Sequence, residues 1–499
     1  MKYCSIVLVT FVVFIFPSVV DAQITFERCY GGPETDIGYS VAQTADRGYI
    51  IAGRSGSFGA GSYDVYLVKT DSLGDTLWTK TYGGSDWDSG LSVTPTFSGG
   101  YVVSGFTESF TPIGADVYLI KVNSVGDTLW TKTYGGTDRD MGYSVEQTPD
   151  SGYIIAGDTY CLNAGSWSWD IYLIKTDSSG DTVWTKTYGG IDDDYGRSVA
   201  LTFDGGYIIT GMTKSFGAGN YDVYLVKTDS FGDTLWTKTY GDSGDEQSRS
   251  IARCTDGGYI ITGGIAPFGV EDPNVYLIRT DSNGDTLWTK TYGGSGNEQG
   301  ESVVQTFDGG YIITGVTTSF GSDGYDVYLI KTDSFGDTLW TKTYGGTNGD
   351  AGYSVVQTFD RGYIVAGLTD SFGAGIIDIY LVKTDSCGNV AGTKEEKDQK
   401  HKTTDIRLLC YPNPFTTKAE IKFRVSGSGG GTNTYHLAPA SLNIYNACGR
   451  LVRSFPSSLL SLHSSVTWDG KINEGKNAKT GVYFVKTKGY ESVKVVKVK

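Results

Sequence analysis

Seven copies of GGYII or a close variant punctuate this chain, with their tyrosines at Tyr49, Tyr101, Tyr153, Tyr207, Tyr259, Tyr311 and Tyr363. The spacing is 52 residues at every step but one, which is 54. A period near fifty marks an array of like supersecondary units, none of which buries its apolar faces alone. The repeat therefore constrains architecture before it says anything about chemistry.

In the first unit four short runs, Gly38 to Thr44, Gly48 to Gly53, Asp64 to Thr70 and Thr76 to Tyr82, are rich in β-branched and aromatic residues and bounded by Gly, Asp or Ser. That is the signature of strands. Short connections join the first to the second and the third to the fourth, whereas Arg54 to Tyr63 and Gly83 to Ser89 are long. The second and third runs are apolar on both faces, so each sheet must lie between two others. Radial repetition of four-stranded sheets is a β-propeller.

The chain ends decide between a ring and an open solenoid. Ile24 to Gly32 aligns with the fourth strand, Phe26 standing where other units carry Trp78, Trp130, Trp184, Trp236, Trp288 and Trp340, while the last unit stops after Ser386 without a fourth strand. Pairing the two ends closes seven blades and hides both edges. The expected fold class is therefore all-β: a seven-bladed β-propeller closed by its N-terminal strand, followed by a small β-sandwich. Its expected parts are a signal peptide at 1–22, the propeller at 23–386, a polar linker at 387–404 and a C-terminal domain at 405–499.

Lys2, the apolar run Ile6 to Val20 and the small residues before Gln23 read as a cleaved secretory signal, too short to span a bilayer. No other segment is apolar enough to span, so no transmembrane segment is expected after cleavage. The cysteines, seven in all, show no metal-ligand spacing and no repeat-matched framework. The repeat region holds 22 basic and 47 acidic side chains, a balance that repels nucleic acid.

An acidic residue precedes the first strand of each unit (Asp36, Asp88, Asp140, Asp194, Glu246, Glu298, Asp350), and a second precedes the third strand, with Asn274 in its place in the fifth unit. Such carboxylates could take Ca²⁺, but Asp commonly caps its own loop, and presence in nearly every blade points to structure. Neither a cofactor nor a metal site is expected. Ser40 and its six counterparts read likewise as blade-packing residues.

Function belongs where the symmetry breaks. Trp87, Arg139, Tyr160, Trp167, Trp169, Asp192, Asp193 and Tyr195 replace smaller residues on the long-loop side, and the two extra residues of the third unit fall in a long loop, Asp158 to Trp169. Aromatic planes with carboxylates and an arginine suit stacking on a glycan or holding a peptide. The three histidines lie outside the repeats, which excludes a His-dependent triad there but not a carboxylate pair for glycoside hydrolysis. The turn from Asp71 to Trp78 is loosely similar to the Asp-box of sialidase propellers, with altered spacing.

In the C-terminal quarter, Tyr411-Pro412-Asn413-Pro414-Phe415, then Leu442 to Val452 with Gly449 and Arg450, then Trp468-Asp469-Gly470, then Gly481-Val482-Tyr483, and a closing KVVKVK follow in order. This order resembles the type A sorting domain of the type IX secretion system, and is similar also to the Ig-like domain of flagellar hook-capping proteins. Asn446 stands where the family often has Asp, and Ser426 to Asn433 lengthens one loop. The resemblance covers only the last ninety-five or so residues. It implies an Ig-like fold, outer-membrane secretion machinery as partner, and a secreted or outer-surface location on a Gram-negative-type bacterium. The repeats are similar to those of large bacterial surface proteins, which supplies no activity. The function expected is a non-enzymatic, monomeric surface propeller that binds a glycan or protein; the alternative is a carboxylate-dependent glycoside hydrolase or lyase.

Overall fold

The computed structural model describes residues 23–111, 113–163, 166–266, 272–390 and, beyond these, 405–411, 418–426, 441–446, 451–456, 465–473, 476–479, 481–487 and 493–497. The signal segment, most of the linker, and Pro412, Asn413, Pro414, Gly449 and Arg450 lie outside the described residues. The described part divides into two units, one before and one after residue 394.

The first unit is a ring of seven four-stranded antiparallel sheets. In the first blade the strands run Asp36–Gln43, Tyr49–Ser55, Asp64–Thr70 and Thr76–Tyr82 from the central channel outward. Every residue of Asp64–Thr70 is buried, because both faces of a middle strand meet neighbouring blades. The closing blade takes Asp350–Gln357, Tyr363–Thr369 and Asp378–Thr384 from the C-terminal side and Phe26–Tyr30 as its outer strand. Phe26 pairs with Lys383 and Tyr30 with Ile379, so the expected closure is the one observed.

Three repeated contacts weld blade to blade. The hydroxyl of Ser40 accepts from the Val93 backbone N–H of the next blade, and Ser92, Ser144, Ser198, Ser250, Ser302 and Ser354 do the same around the ring. Each outer-strand tyrosine, from Tyr30 to Tyr344, donates to a turn glycine carbonyl of the following blade, Tyr30 to Gly74 at 2.6 Å. The GGYII tyrosine packs edge-on against the outer tryptophan of the preceding blade, as in Trp130–Tyr153 at 5.8 Å, and Phe26 does this for Tyr49 at 6.0 Å.

Two boundaries differ from expectation. The turn after Thr384 completes the last blade, with Gly388 accepting from Tyr344 and Val390 buried in its core, so the propeller runs to Val390 rather than ending at residue 386. Within the segment read as a long loop, Asp158 to Trp169, the described residues are strand: Tyr153–Asn163 and Ser166–Thr176 pair residue for residue. Alternating Tyr160, Leu162, Trp167 and Trp169 favour a pleated ladder over a loop, and the two added residues lengthen the hairpin.

The second unit holds a three-stranded sheet (Asp405–Tyr411, Ala419–Ser426, Ser465–Trp468) and a four-stranded one (Leu451–Pro456, Ser441–Asn446, Gly481–Thr487, Val493–Lys497). Its core joins Ile421, Leu442, Ile444, Phe455, Trp468, Tyr483 and Val485. Trp468 and Tyr483, from separate sequence motifs, meet edge to face at 5.0 Å. Asp469 accepts from the Lys471 N–H, and the Gly470 carbonyl accepts from Ala478 N–H and Lys497 Nζ, so these motif residues build a turn. No helix of the described residues is long and apolar enough to cross a membrane.

Candidate functional site

Strands that run up and down put all the long connections on one face of the ring and the tight turns on the other. The repeated acids on the long-loop face cap their own loops. Asp36 accepts from Gly32 N–H and Ser57 Oγ at 2.7 and 2.6 Å, and Asp88, Asp194 and Asp350 repeat both contacts. Asp64 accepts from Ala60 and Gly61 N–H, as Asp222 and Asp378 do in their loops. Among the described residues no group of three or more His, Cys, Asp or Glu is placed to hold a metal ion.

These acids nevertheless meet in pairs between blades. A Cβ on Gly83 would stand 2.4 Å from both Asp64 Oδ1 and Asp88 Oδ2, so only glycine fits between the two carboxylates. Burial and then Asp140 push Asp116 up to about 6, burial and then Asp350 push Asp326 up to about 6, and burial with Asp242, Asp222 and Asp245 nearby takes Glu246 to about 7. The opposite holds on the tight-turn face, where Lys175 and Lys227 bind Asp150 and Asp204. Burial pulls these two carboxylates up, but the lysine and threonine hydrogen bonds outweigh it and hold both at about 2.

A carboxyl raised in the fold takes up its proton before the unfolded chain does, so stability grows as pH falls through the folded value toward about 4; a lowered one loses stability below that point. The thermal unfolding midpoint should accordingly be higher at pH 5 than at pH 8 and fall again below about pH 3. A midpoint that climbs steadily from pH 5 to 8 in a calorimetric scan would refute this.

The strongest break in symmetry is on the channel wall. A bulge between Gly38 and Ser40, repeated in every inner strand, leaves one residue per blade out of the ladder. Those residues are Tyr39, Leu91, Tyr143, Arg197, Arg249, Glu301 and Tyr353. Arg197 pairs with buried Asp158 at 3.1 Å and lies over the Tyr143 ring at 4.3 Å. Asp158 also accepts from Gly196 N–H at 2.6 Å. With the Gln299 amide turned so that its oxygen faces Arg249, the guanidinium donates to it at 2.8 and 3.0 Å. Burial raises Glu301, while Arg249 and Arg197 oppose it.

Of the eight residues singled out on the long-loop side, five form one body. Trp167 stacks on Tyr160 at 5.5 Å, Tyr160 meets Trp169 at 5.2 Å, and Trp169 stacks on Tyr195 at 6.0 Å, with Tyr221 next at 6.1 Å. Asp193 Oδ1 fixes this row by accepting from Trp169 N–H. Trp167 is 51% exposed, so the outer end of the row offers a free ring face. Arg139 adjoins it through its carbonyl, which accepts from Tyr160 N–H, while its guanidinium pairs with Glu108. Asp192 is exposed and is held only through its backbone, to Ser215. Trp87 is separate, packed on Tyr63 at 5.3 Å beside Arg54.

Arg54, Asp158, Arg197, Arg249 and Glu301 escape a reading confined to loops. Aligning the seven inner strands column by column would have revealed Arg197, Arg249 and Glu301, since a column of Tyr, Leu, Tyr, Arg, Arg, Glu and Tyr stands beside invariant serines, and the same exercise on the second strands would have revealed Arg54 and Asp158.

Comparison with known proteins adds likeness but no assignment. No family model matches the chain. The regulatory protein FlaEY of Caulobacter vibrioides is 26% identical over 388 residues, an alignment covering 64% of this chain and 39% of that protein. The chain thus spans well under half the length of that relative. Among solved structures, PorZ, a surface component of the type-IX secretion system of Porphyromonas gingivalis, aligns with a TM-score of 0.40 at 12% identity, over 94% of this chain and 60% of that one. A puromycin hydrolase gives 0.45 at 12% identity, over 79% of this chain and 59% of its own. Likeness at this level says nothing about what the chain binds.

Proposed function

We propose that this protein is a non-enzymatic extracellular propeller that binds a glycan or a protein on its long-loop face, carried across the outer membrane and held at the cell surface through its C-terminal domain. The observation that carries the binding reading is the aromatic row from Trp167 to Tyr195, which ends in an exposed ring and has no copy among the described residues of the other blades. A flat, prearranged row of rings loses little freedom on contact with a partner. Export rests on the signal-like N-terminus and on the ordered C-terminal motifs.

A glycoside hydrolase would need two carboxylates free to hold and move protons. Asp158 and Glu301 are unrepeated acids beside the bulge column, but Asp158 is only 1% exposed and both its oxygens are taken, Oδ1 by the Gly196 N–H and Oδ2 by Arg197, so neither is open to a substrate. This is the ground for preferring binding to catalysis.

Arrays of glycans and peptides probed with the full chain test the site. Replacing Trp167 and Trp169 together by alanine is expected to weaken the strongest hit at least about tenfold, on the stacking energies typical of aromatic contacts; unchanged affinity would place the site elsewhere. Export is tested by removing residues 405–499. The shortened protein is expected to stay in the periplasm, and normal surface display of it would overturn the sorting role.

A further inference from the structure

Arg54 occupies a column that in the other blades holds Phe106, Asp158, Met212, Gly264, Val316 and Leu368. Its guanidinium lies 4.7 Å from the ring centre of Tyr63, 5.9 Å from Tyr39 and 6.0 Å from Trp87. The Nε atom is sealed from solvent without an acceptor, and no carboxylate among the described residues pairs with this side chain. Arg197 and Arg249 differ in having a polar neighbour: Arg197 pairs with Asp158, although its Nε too lacks an acceptor, and Arg249 faces the Gln299 amide. A buried Nε–H without an acceptor costs the fold free energy, because that donor has left water for nothing in return.

The cage around it is rigid. Tyr63 and Trp87 face each other through a backbone bridge, Asp88 N–H donates to the Tyr63 carbonyl, and Glu108 N–H donates to that of Trp87. Trp87 remains 42% exposed, so a ring face lies open beside the unpaired cation. A planar fork of donors next to an aromatic plane is the chemistry that recognises a carboxylate borne on a saturated ring.

We propose that Arg54, Tyr39, Tyr63 and Trp87 form a subsite for the carboxylate of a uronic acid residue, the sugar ring stacking on Trp87. The inference deepens the binding reading above and rests on it. It favours sugar over peptide because backbone donors bordering this face are already used, Asp88 N–H by the Tyr63 carbonyl of the preceding blade and Glu108, Tyr160 and Lys214 N–H within their own blades, which leaves these donors unavailable to an added peptide strand. The surrounding acidity of the propeller selects isolated carboxylates on a largely neutral chain over a dense polyanion.

The test measures binding of the full-length chain to an otherwise neutral oligosaccharide carrying a single uronate residue, to the methyl ester of that residue and to a set of acidic peptides. The acid is expected to bind at least tenfold tighter than the ester. Arg54→Met, which installs the residue that Met212 already places in this column, is expected to bring that ratio close to one, whereas Trp167→Ala weakens acid and ester by a similar factor. An acid-to-ester ratio near one in the native chain, or a ratio unmoved by Arg54→Met, overturns the carboxylate subsite while leaving the aromatic row in place. Arg54-dependent binding of acidic peptides without binding of the uronate overturns the sugar assignment. Binding of neither sugar form nor peptide overturns this inference, and the glycan and peptide arrays decide separately the reading beneath it.

Discussion

A chain shortened to begin at Gly31 should not fold to a closed ring: it should show no cooperative unfolding transition and should associate through the bared strand Asp378–Thr384. Three effects combine. Phe26 and Tyr30 are 5% and 8% exposed, and losing one such aromatic from a core costs about 3–5 kcal/mol. The five-pair ladder from Phe26–Lys383 to Tyr30–Ile379 disappears, leaving the closing blade with a naked edge. The Tyr30–Gly74 hydrogen bond, which ties that blade to the first, goes with it. Against a total stability of about 5–15 kcal/mol, this sum is decisive. Size-exclusion chromatography and a calorimetric scan check it; a monomer with an unchanged transition would mean that the first strand is dispensable.

Gly211→Ala should cost about 3 kcal/mol or more and should also disturb the aromatic row. A Cβ there would stand 1.6 Å from the Tyr195 carbonyl oxygen, an overlap that only backbone movement relieves. The bulged inner strand creates the same closeness in every blade, at 1.8 Å between Gly105 and the Ser89 carbonyl. What differs is the residue pushed aside. Tyr195 stacks on Trp169, whereas Ser89 touches no aromatic row, so Gly105→Ala should match the stability loss without altering the near-ultraviolet circular dichroism of the stacked rings. Equal spectral changes in both variants would break this link between the inner-strand bulge and the site.

Much of this was legible from residues alone. The tyrosine period set the blade count, Phe26 in the tryptophan column foretold closure, and the recurring serines announced contacts between blades. The long hairpin was misread because two extra residues look like a loop insertion, although Tyr160, Leu162, Trp167 and Trp169 alternate as a strand does. The channel charges were hidden for a different reason. Arg197, Arg249 and Glu301 are single-letter changes inside a well-kept strand, and only the bulge decides that their side chains leave the ladder for the channel. Arg54 shows the same limit, since its lack of an acceptor depends on what seven blades place around one axis.

The ring closure also sets a timetable. Val41 reaches Ser354 across 313 positions of chain, and every other blade-to-blade serine contact of this kind spans 53 or 55. Six of these junctions can therefore form as successive units leave the ribosome, while the seventh must wait until the last unit has emerged. Until that moment the propeller is an unfinished arc with two open ends, and the first strand acts as the latch that converts it into a rigid body.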